Sequence, residues 1–215
     1  MIGSEGGSAN GNVHLLATVL LLAAPLAGCA GGGGGGGGVD GDAMTAQDRL
    51  SNAESRAAEW SSDAEFIGTS ITETTEGSAE EWSSEAFDFQ ADDNVGDGLS
   101  PQWTYTFEDG EGNLATVYMN VDGETHLEER QQDTFFMDAP VEDWSVSSAD
   151  AVQAAVDADD EFASALESED VKVGYLLAQG GGDKSWLLNA KTSDENVQMK
   201  VDADTGEAQR AGPSS

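Results

Sequence analysis

The sequence predicts an α+β fold of two tandem units, each a helix packed on a small antiparallel β-sheet. A stripe of apolar residues at helical spacing opens each half of the chain, and alternating segments joined by Asp- and Gly-rich turns follow it. An apolar run and eight consecutive glycines precede the first helical pattern. We therefore place the folded part after this N-terminal region.

The N-terminal segment is predicted to direct export. Residues 15–27 form an apolar run that is too short for a membrane span of about 20 residues but fits the core of a signal peptide. The run ends in Leu26, Ala27, Gly28 and Cys29, which resembles the lipobox of secreted lipoproteins. The resemblance implies removal of residues 1–28 as a signal peptide and lipidation of Cys29. The positively charged region usual in such signals is missing, because residues 1–14 contain no Lys or Arg.

Residues 29–43 are predicted to be the lipidated cysteine and a tether. The glycines at 31–38 have no side chains to pack and lose the most backbone entropy on ordering, so they suit a flexible spacer. A single acyl chain anchors a protein only weakly, so we expect two chains on Cys29. The expected location is the outer face of the cytoplasmic membrane.

The first unit is predicted over residues 44–140. Thr45 and Asp48 form a pattern similar to a capping box, and the helix is predicted over about 45–62. Strands are predicted at 66–74 and 86–90, followed by a hairpin. The first strand of this hairpin contains Trp103, Tyr105 and Phe107, and residues 109–113 form its turn. The second strand contains Ala115, Val117, Met119 and Val121.

The second unit is predicted over residues 141–211 and repeats this order. Ser147 and Asp150 cap a helical pattern that either continues past residues 159–160 or breaks there into two short helices. A strand at 171–177 and a hairpin at 186–201 follow. Because Leu, Ile, Val and Phe make up only 30 of the 187 residues from Cys29 onward, composition alone is typical of a disordered chain. The regular pattern and five Trp favour a folded one.

The second unit also resembles a known family. Residues 147–155, a Ser-Ser-Ala-Asp-Ala-Val helix start, are similar to the opening helix of PepSY domains, and Trp186 with residues 197–207 is similar to their closing strand and turn. Residues 44–140 fit less well, because the turn at 121–124 is shorter. The resemblance implies a helix on a small antiparallel sheet and an extracytoplasmic binding or inhibitory module, as in protease propeptides. It supplies no catalytic residues.

The charge excludes several classes of function. The chain has 42 acidic and 8 basic side chains, for a formal net charge of −34, so it cannot neutralise nucleic-acid phosphates. One Cys and two His leave no zinc-type site. The acidic residues are spread through both halves, which resembles the surfaces of proteins from salt-in halophiles, notably haloarchaea. Local cation buffering is the alternative explanation.

Four features could carry chemistry, and each has a structural interpretation. We interpret Asp202 and Asp204 as a hairpin turn because they lack the calcium-loop ligand order. Residues 180–182 lack the Lys of a phosphate loop and are predicted to be a flexible hairpin loop. His126 is predicted to be a solvated strand or loop residue. The Trp residues are expected in the core rather than in a carbohydrate or peptide groove.

The sequence therefore predicts no enzyme, no cofactor and no metal site, and it leaves the binding residues unknown. The leading hypothesis is a lipid-anchored, salt-adapted binding or regulatory module that contacts an envelope or secreted protein such as a protease. The alternative is a solute- or cation-binding lipoprotein that serves a transporter. A solute receptor needs a concave pocket with convergent polar groups, whereas an inhibitor needs an exposed edge or apolar patch. A weaker possibility is a hydrolase with a buried carboxylate pair.

Overall fold

The computed structural model describes residues 43–74, 90–91, 94–130 and 139–212. The predicted signal peptide, the lipobox and most of the strand predicted at 86–90 lie outside the described residues. The helices are α1 (Leu50–Trp60), α2 (Ser148–Ala158) and α3 (Asp160–Leu166). The strands are β1 (Glu65–Thr74), β2 (Gln90–Ala91), β3 (Gln102–Glu108), β4 (Leu114–Asn120), β5 (Thr125–Arg130), β6 (Lys172–Gly180), β7 (Asp183–Lys191), β8 (Asn196–Asp202) and β9 (Ala208–Arg210).

The prediction of two separate helix-on-sheet units is wrong, because the described strands form one sheet. Eight of them lie in the order β5-β4-β3-β1-β6-β7-β8-β9 with antiparallel neighbours, and β2 pairs parallel with β1. The join is the antiparallel pairing of β1 with β6, in register from Gly68 and Ala178 to Thr74 and Lys172. Two separate sheets would each expose an edge at these strands, whereas pairing satisfies the backbone groups of both edges.

The helices lie on one face of this sheet. Helix α1 contacts β3, β4 and β5, while α2 and α3 contact β7 and β8. The core between them combines large aromatic side chains with Ala, Val, Leu and Met side chains. Buried side chains of this face include Trp103, Tyr105, Phe107, Phe162, Tyr175, Leu177, Trp186 and Leu188.

Hydrogen bonds from these aromatic groups fix the chain segments that cross the core. The indole Nε1 of Trp103 donates to the carbonyl oxygen of Met44 at 2.8 Å, and the Tyr105 hydroxyl donates to that of Ala46 at 2.9 Å. On the other side, Trp186 Nε1 donates to the Val146 carbonyl oxygen at 2.9 Å. Burial also raises the pKa of Tyr105 well above its ordinary value, so the hydroxyl stays a donor.

Side-chain caps set the starts of α2 and α3. Ser147 caps α2, since its Oγ accepts from the Asp150 amide at 3.0 Å. Asp159 ends α2 and caps α3 by accepting from the Phe162 amide at 2.8 Å, so the two-helix alternative is confirmed. Helix α1 begins at Leu50 rather than near Thr45, because residues 46–49 form a turn before it.

The hairpin turns also follow their residue types. Gly181 and Gly182 have φ of 64° and 96° between the last paired residues of β6 and β7, which matches a tight two-residue turn. The Asp202 carboxylate accepts from the amides of Asp204 and Thr205 at 3.0 and 2.8 Å, which confirms the predicted hairpin turn. These hydrogen bonds lower the pKa of the Asp202 carboxyl group, and the bond from the Thr205 amide contributes most.

Two edge strands were not predicted. Strand β5 has a polar and charged sequence, and β9 is three residues long. Both form because they hydrogen-bond to β4 and β8. Short or charged edge strands carry little apolar alternation, so sequence patterns reveal them poorly.

Candidate functional site

A cavity of about 560 Å³ lies between α1, the start of β1 and the segment that joins the two halves of the chain. We call residues 139–146 the linking segment. The volume falls in the range of small-molecule sites, roughly 300–1,000 Å³. The cavity is lined by Gln47, Leu50, Glu54, Ala64, Glu65, Phe66, Pro140, Val141, Glu142, Asp143 and Trp144.

The linking segment is attached to both halves of the sheet. At its start, the Val141 amide donates to the carbonyl oxygen of Phe66 on β1 at 2.8 Å. At its end, the amides of Ser145 and Val146 both donate to the carbonyl oxygen of Ala203 at 3.0 Å. Residues 142–144 span the cavity between these two attachments.

An aromatic stack forms one wall of the cavity. The Trp144 indole stacks on the Phe66 ring, with centroids 5.5 Å apart and planes 29° apart. Phe66 packs in turn on Phe107 and Tyr105 of β3, at centroid distances of 5.7 and 6.3 Å. Because Phe66 is only 7% exposed, the wall next to the cavity is mainly the half-buried indole.

Two polar atoms, in residues that line the cavity, are fully buried and have no hydrogen-bond partner within the described part of the chain. They are Trp144 Nε1, a donor, and Gln47 Oε1, an acceptor. The other polar atom of the Gln47 side chain, Nε2, donates to the Val146 carbonyl oxygen at 3.1 Å, which fixes the orientation of the amide group. A buried polar group left unpaired costs about 1–3 kcal/mol, so both atoms destabilise the cavity as it stands.

The backbone beside Trp144 is also strained. Asp143 has φ of 28°, and among the described non-glycine residues it alone has a positive φ. Lys184 on β7 donates to the carbonyl oxygens of both Glu142 and Asp143, the former at 3.0 Å. Its Nζ also lies 2.8 Å from Asp204 Oδ1, and the side chain is 19% exposed. Lys184 thus holds the linking segment in this conformation.

The rim of the cavity is negatively charged. Glu54, Glu65, Glu142 and Asp143 line it and are exposed, and its described lining includes neither Lys nor Arg. An anionic ligand would meet repulsion here. In the described ranges, no group of three or more His, Cys, Asp or Glu is arranged to hold a metal ion.

A buried carboxyl group lies elsewhere in the core. Glu73 on β1 is fully buried, and its Oε2 accepts from the Tyr175 hydroxyl at 2.8 Å and the Gly96 amide at 3.1 Å. Burial is the main cause that raises the pKa of the Tyr175 hydroxyl well above its ordinary value, and Glu73 raises it further. Glu73 is absent from the cavity lining, so the structure does not place it beside the residues described above.

The residues singled out in the sequence do not form this site. Cys29, Leu26, Ala27 and Gly28 lie outside the described residues. His126 lies half-buried on β5, with Nε2 3.4 Å from Glu128 Oε1, as expected for a strand residue. Of the Trp residues, Trp103 and Trp186 are in the core as predicted, whereas Trp144 lines the cavity.

Sequence analysis missed Gln47 and the linking segment. The boundary predicted between residues 140 and 141 falls inside that segment, for which no element or site was predicted. One signal was present: Trp144 lies in a short stretch with Pro140, two acidic residues and no strand or helix pattern. A large aromatic residue outside any periodic pattern indicates a loop that packs on the core or on a ligand.

No family model and no curated protein matches the chain, so the resemblance to PepSY domains gains no support from them. The chain is similar to the crystal structure of a "putative lipoprotein" from Clostridium difficile 630, with 13% identity and a TM-score of 0.42. The similarity covers 75% of this chain and 92% of the other. Among the described helices, none is long and apolar enough to cross a membrane.

Proposed function

We propose that this chain is a small-molecule-binding module and that its site is the cavity between α1 and the linking segment. One observation carries the proposal: three residues with energetically costly features line the same cavity. Among the described residues, Trp144 Nε1 and Gln47 Oε1 have no hydrogen-bond partner, and the backbone of Asp143 is left-handed.

The cost of these features supports a binding function. Each unpaired atom costs about 1–3 kcal/mol, and a non-glycine residue in the left-handed region costs a similar amount. Such costs accumulate at ligand sites because the ligand recovers part of them. A binding experiment tests whether this cavity is such a site.

In the setting that the sequence predicts, such a module would be anchored through Cys29 and would present its site outside the membrane. This is the solute-binding alternative from the sequence. The inhibitory or protein-interaction hypothesis remains a prediction from the PepSY resemblance. The two differ in what the cavity does: filling it should abolish solute binding, whereas an inhibitor that acts through a sheet edge should be unaffected.

The test uses the full-length chain with Cys29→Ser, which cannot be lipidated, and saturation-transfer NMR. The probes are benzyl alcohol, 3,3-dimethylbutanol, choline and benzoate. Ala64 lines the cavity and is only partly buried, so Ala64→Phe should fill the cavity without disrupting the core. The matched control is Ala163→Phe, at a partly buried position on α3.

We expect at least one probe to show transfer with the parent chain and with Ala163→Phe, and to lose it with Ala64→Phe. Equal transfer to the Ala64→Phe chain would contradict the assignment of the site. Absence of transfer for all four probes would overturn the proposed function.

A further inference from the structure

We infer that the ligand of this cavity is an alkylated organic ammonium ion, an inference that rests on the proposed function. Two properties of the cavity lead to this class: the sign of the charge at its rim, and its indole wall with the apolar side chains beside it. Each property excludes a different group of ligands.

The rim charge selects for a cation. Four carboxyl side chains, Glu54, Glu65, Glu142 and Asp143, line the cavity, and its described lining includes no basic side chain. The whole chain carries a net charge of −34, so the wider field has the same sign. Carboxylate or phosphate ligands would be repelled at the entrance and would find no basic partner inside.

The aromatic wall favours an alkylated ammonium over a metal ion. A cation over an indole face is attracted by the electrons of the ring, and the attraction is largest when the cation sheds water easily, as alkylated ammonium ions do. Trp144 supplies this wall and is fixed by stacking on Phe66 at 5.5 Å. Leu50, Ala64 and Val141 add apolar surface that suits methyl groups.

The experiment compares choline with 3,3-dimethylbutanol, which has the same shape but carbon in place of the charged nitrogen. Binding to the full-length Cys29→Ser chain is titrated by NMR at a single salt concentration. We expect choline to bind at least about 10-fold more tightly than the neutral alcohol, as a charge interaction worth 1.4 kcal/mol predicts.

Two variants separate the contributions. Replacing the exposed acids with Glu142→Gln and Asp143→Asn should weaken choline binding several-fold and leave the neutral alcohol unchanged. Trp144→Leu should weaken choline at least about 10-fold. Trp60→Leu is the matched control, because Trp60 is also half-buried but does not line the cavity. Melting temperatures of all variants verify that they are folded.

The outcomes distinguish this inference from the proposed function. If the neutral alcohol binds as tightly as choline and neither binds to the Ala64→Phe chain, the cavity is the binding site and the cation inference is wrong. If neither choline nor 3,3-dimethylbutanol binds, and benzyl alcohol also fails to bind, the proposed function is overturned as well. Choline binding that survives Trp144→Leu would place the cation elsewhere.

Discussion

The ammonium group of Lys184 donates a hydrogen bond to the carbonyl oxygen of Asp143, whose backbone is left-handed. Lys184 belongs to β7 and Asp143 to the linking segment, so this contact connects the second half of the sheet to the wall of the cavity. The ion pair of Lys184 with Asp204, at 2.8 Å, orients the ammonium group. The conformation of the cavity therefore depends on a residue that does not line it.

Lys184→Met should loosen the linking segment. The variant keeps the aliphatic packing of Lys184 but removes the donor to two carbonyl oxygens, and hydrogen bonds to charged groups contribute about 1.5–3 kcal/mol. We expect a lower free energy of unfolding and weaker probe binding in the cavity. Lys191→Met, an exposed position on the same strand, is the control for loss of a positive charge. Denaturant unfolding and NMR titration measure both effects, and equal behaviour of the two variants would contradict the role of Lys184.

Gly98→Ala should destabilise the protein strongly. A Cβ at Gly98 would lie 2.5 Å from Ala149 Cα and 2.6 Å from the Ser148 carbonyl oxygen, so helix α2 would have to move. Gly123→Ala is a matched control, since its φ of 82° is close to the 80° of Gly98 and its Cβ would meet no atom within 4 Å. The control should cost about 1 kcal/mol from backbone strain alone, and Gly98→Ala about 2 kcal/mol more. Equal melting temperatures for the two variants would show that this packing is wrong.

The stability contributed by the turn at Asp202 should depend on pH. Its hydrogen bonds lower the pKa of Asp202 in the folded state, so folding favours the carboxylate form. The stabilisation is complete above the unfolded pKa of about 3.9 and is lost as the pH falls through the lower folded pKa. Carboxyl NMR titration should therefore give a pKa below the ordinary Asp value, and Thr205→Val should raise it towards that value. Thr125→Val, in β5, should leave it unchanged.

Salt should determine whether the chain is stably folded. With a net charge of −34, repulsion acts across a Debye length of about 10 Å at 0.1 M salt and about 3 Å at 1 M. We expect the melting temperature to rise steeply with KCl. The combined variant Glu111→Gln, Asp122→Asn and Glu167→Gln, at exposed positions, should show a smaller rise. A melting temperature independent of KCl would argue against adaptation to high salt.

Anchoring through Cys29 can be tested separately from binding. Cys29→Ser removes the thiol that the predicted lipidation requires, so the chain should move from the membrane fraction to the soluble fraction. Ser193→Cys in the same background restores one thiol at an exposed position outside the lipobox and serves as the control. Retention of the Cys29→Ser chain in the membrane fraction would exclude the predicted anchor.

Local features of the fold could be predicted because the residues that determine them are close in sequence. The alternation of Trp103, Tyr105 and Phe107 predicted β3, the cap at Ser147 predicted the start of α2, and residues 159–160 were a possible break between two helices. The glycines at 181 and 182 predicted a turn by their freedom to adopt positive φ. Each of these predictions depends on interactions within a few residues.

The sequence by itself determined the helices, most strands, the turns and the excess of negative charge. Tertiary structure decided that β1 pairs with β6, which merges the two predicted sheets into one, and that Gln47 and Trp144 line the same cavity. The physical reason is the distance along the chain. Residues 68–74 and 172–178, like Gln47 and Trp144, are about a hundred positions apart, and no local pattern specifies which distant groups will meet. Backbone hydrogen bonds at open strand edges and burial of the aromatic core select those partners only when the whole chain folds.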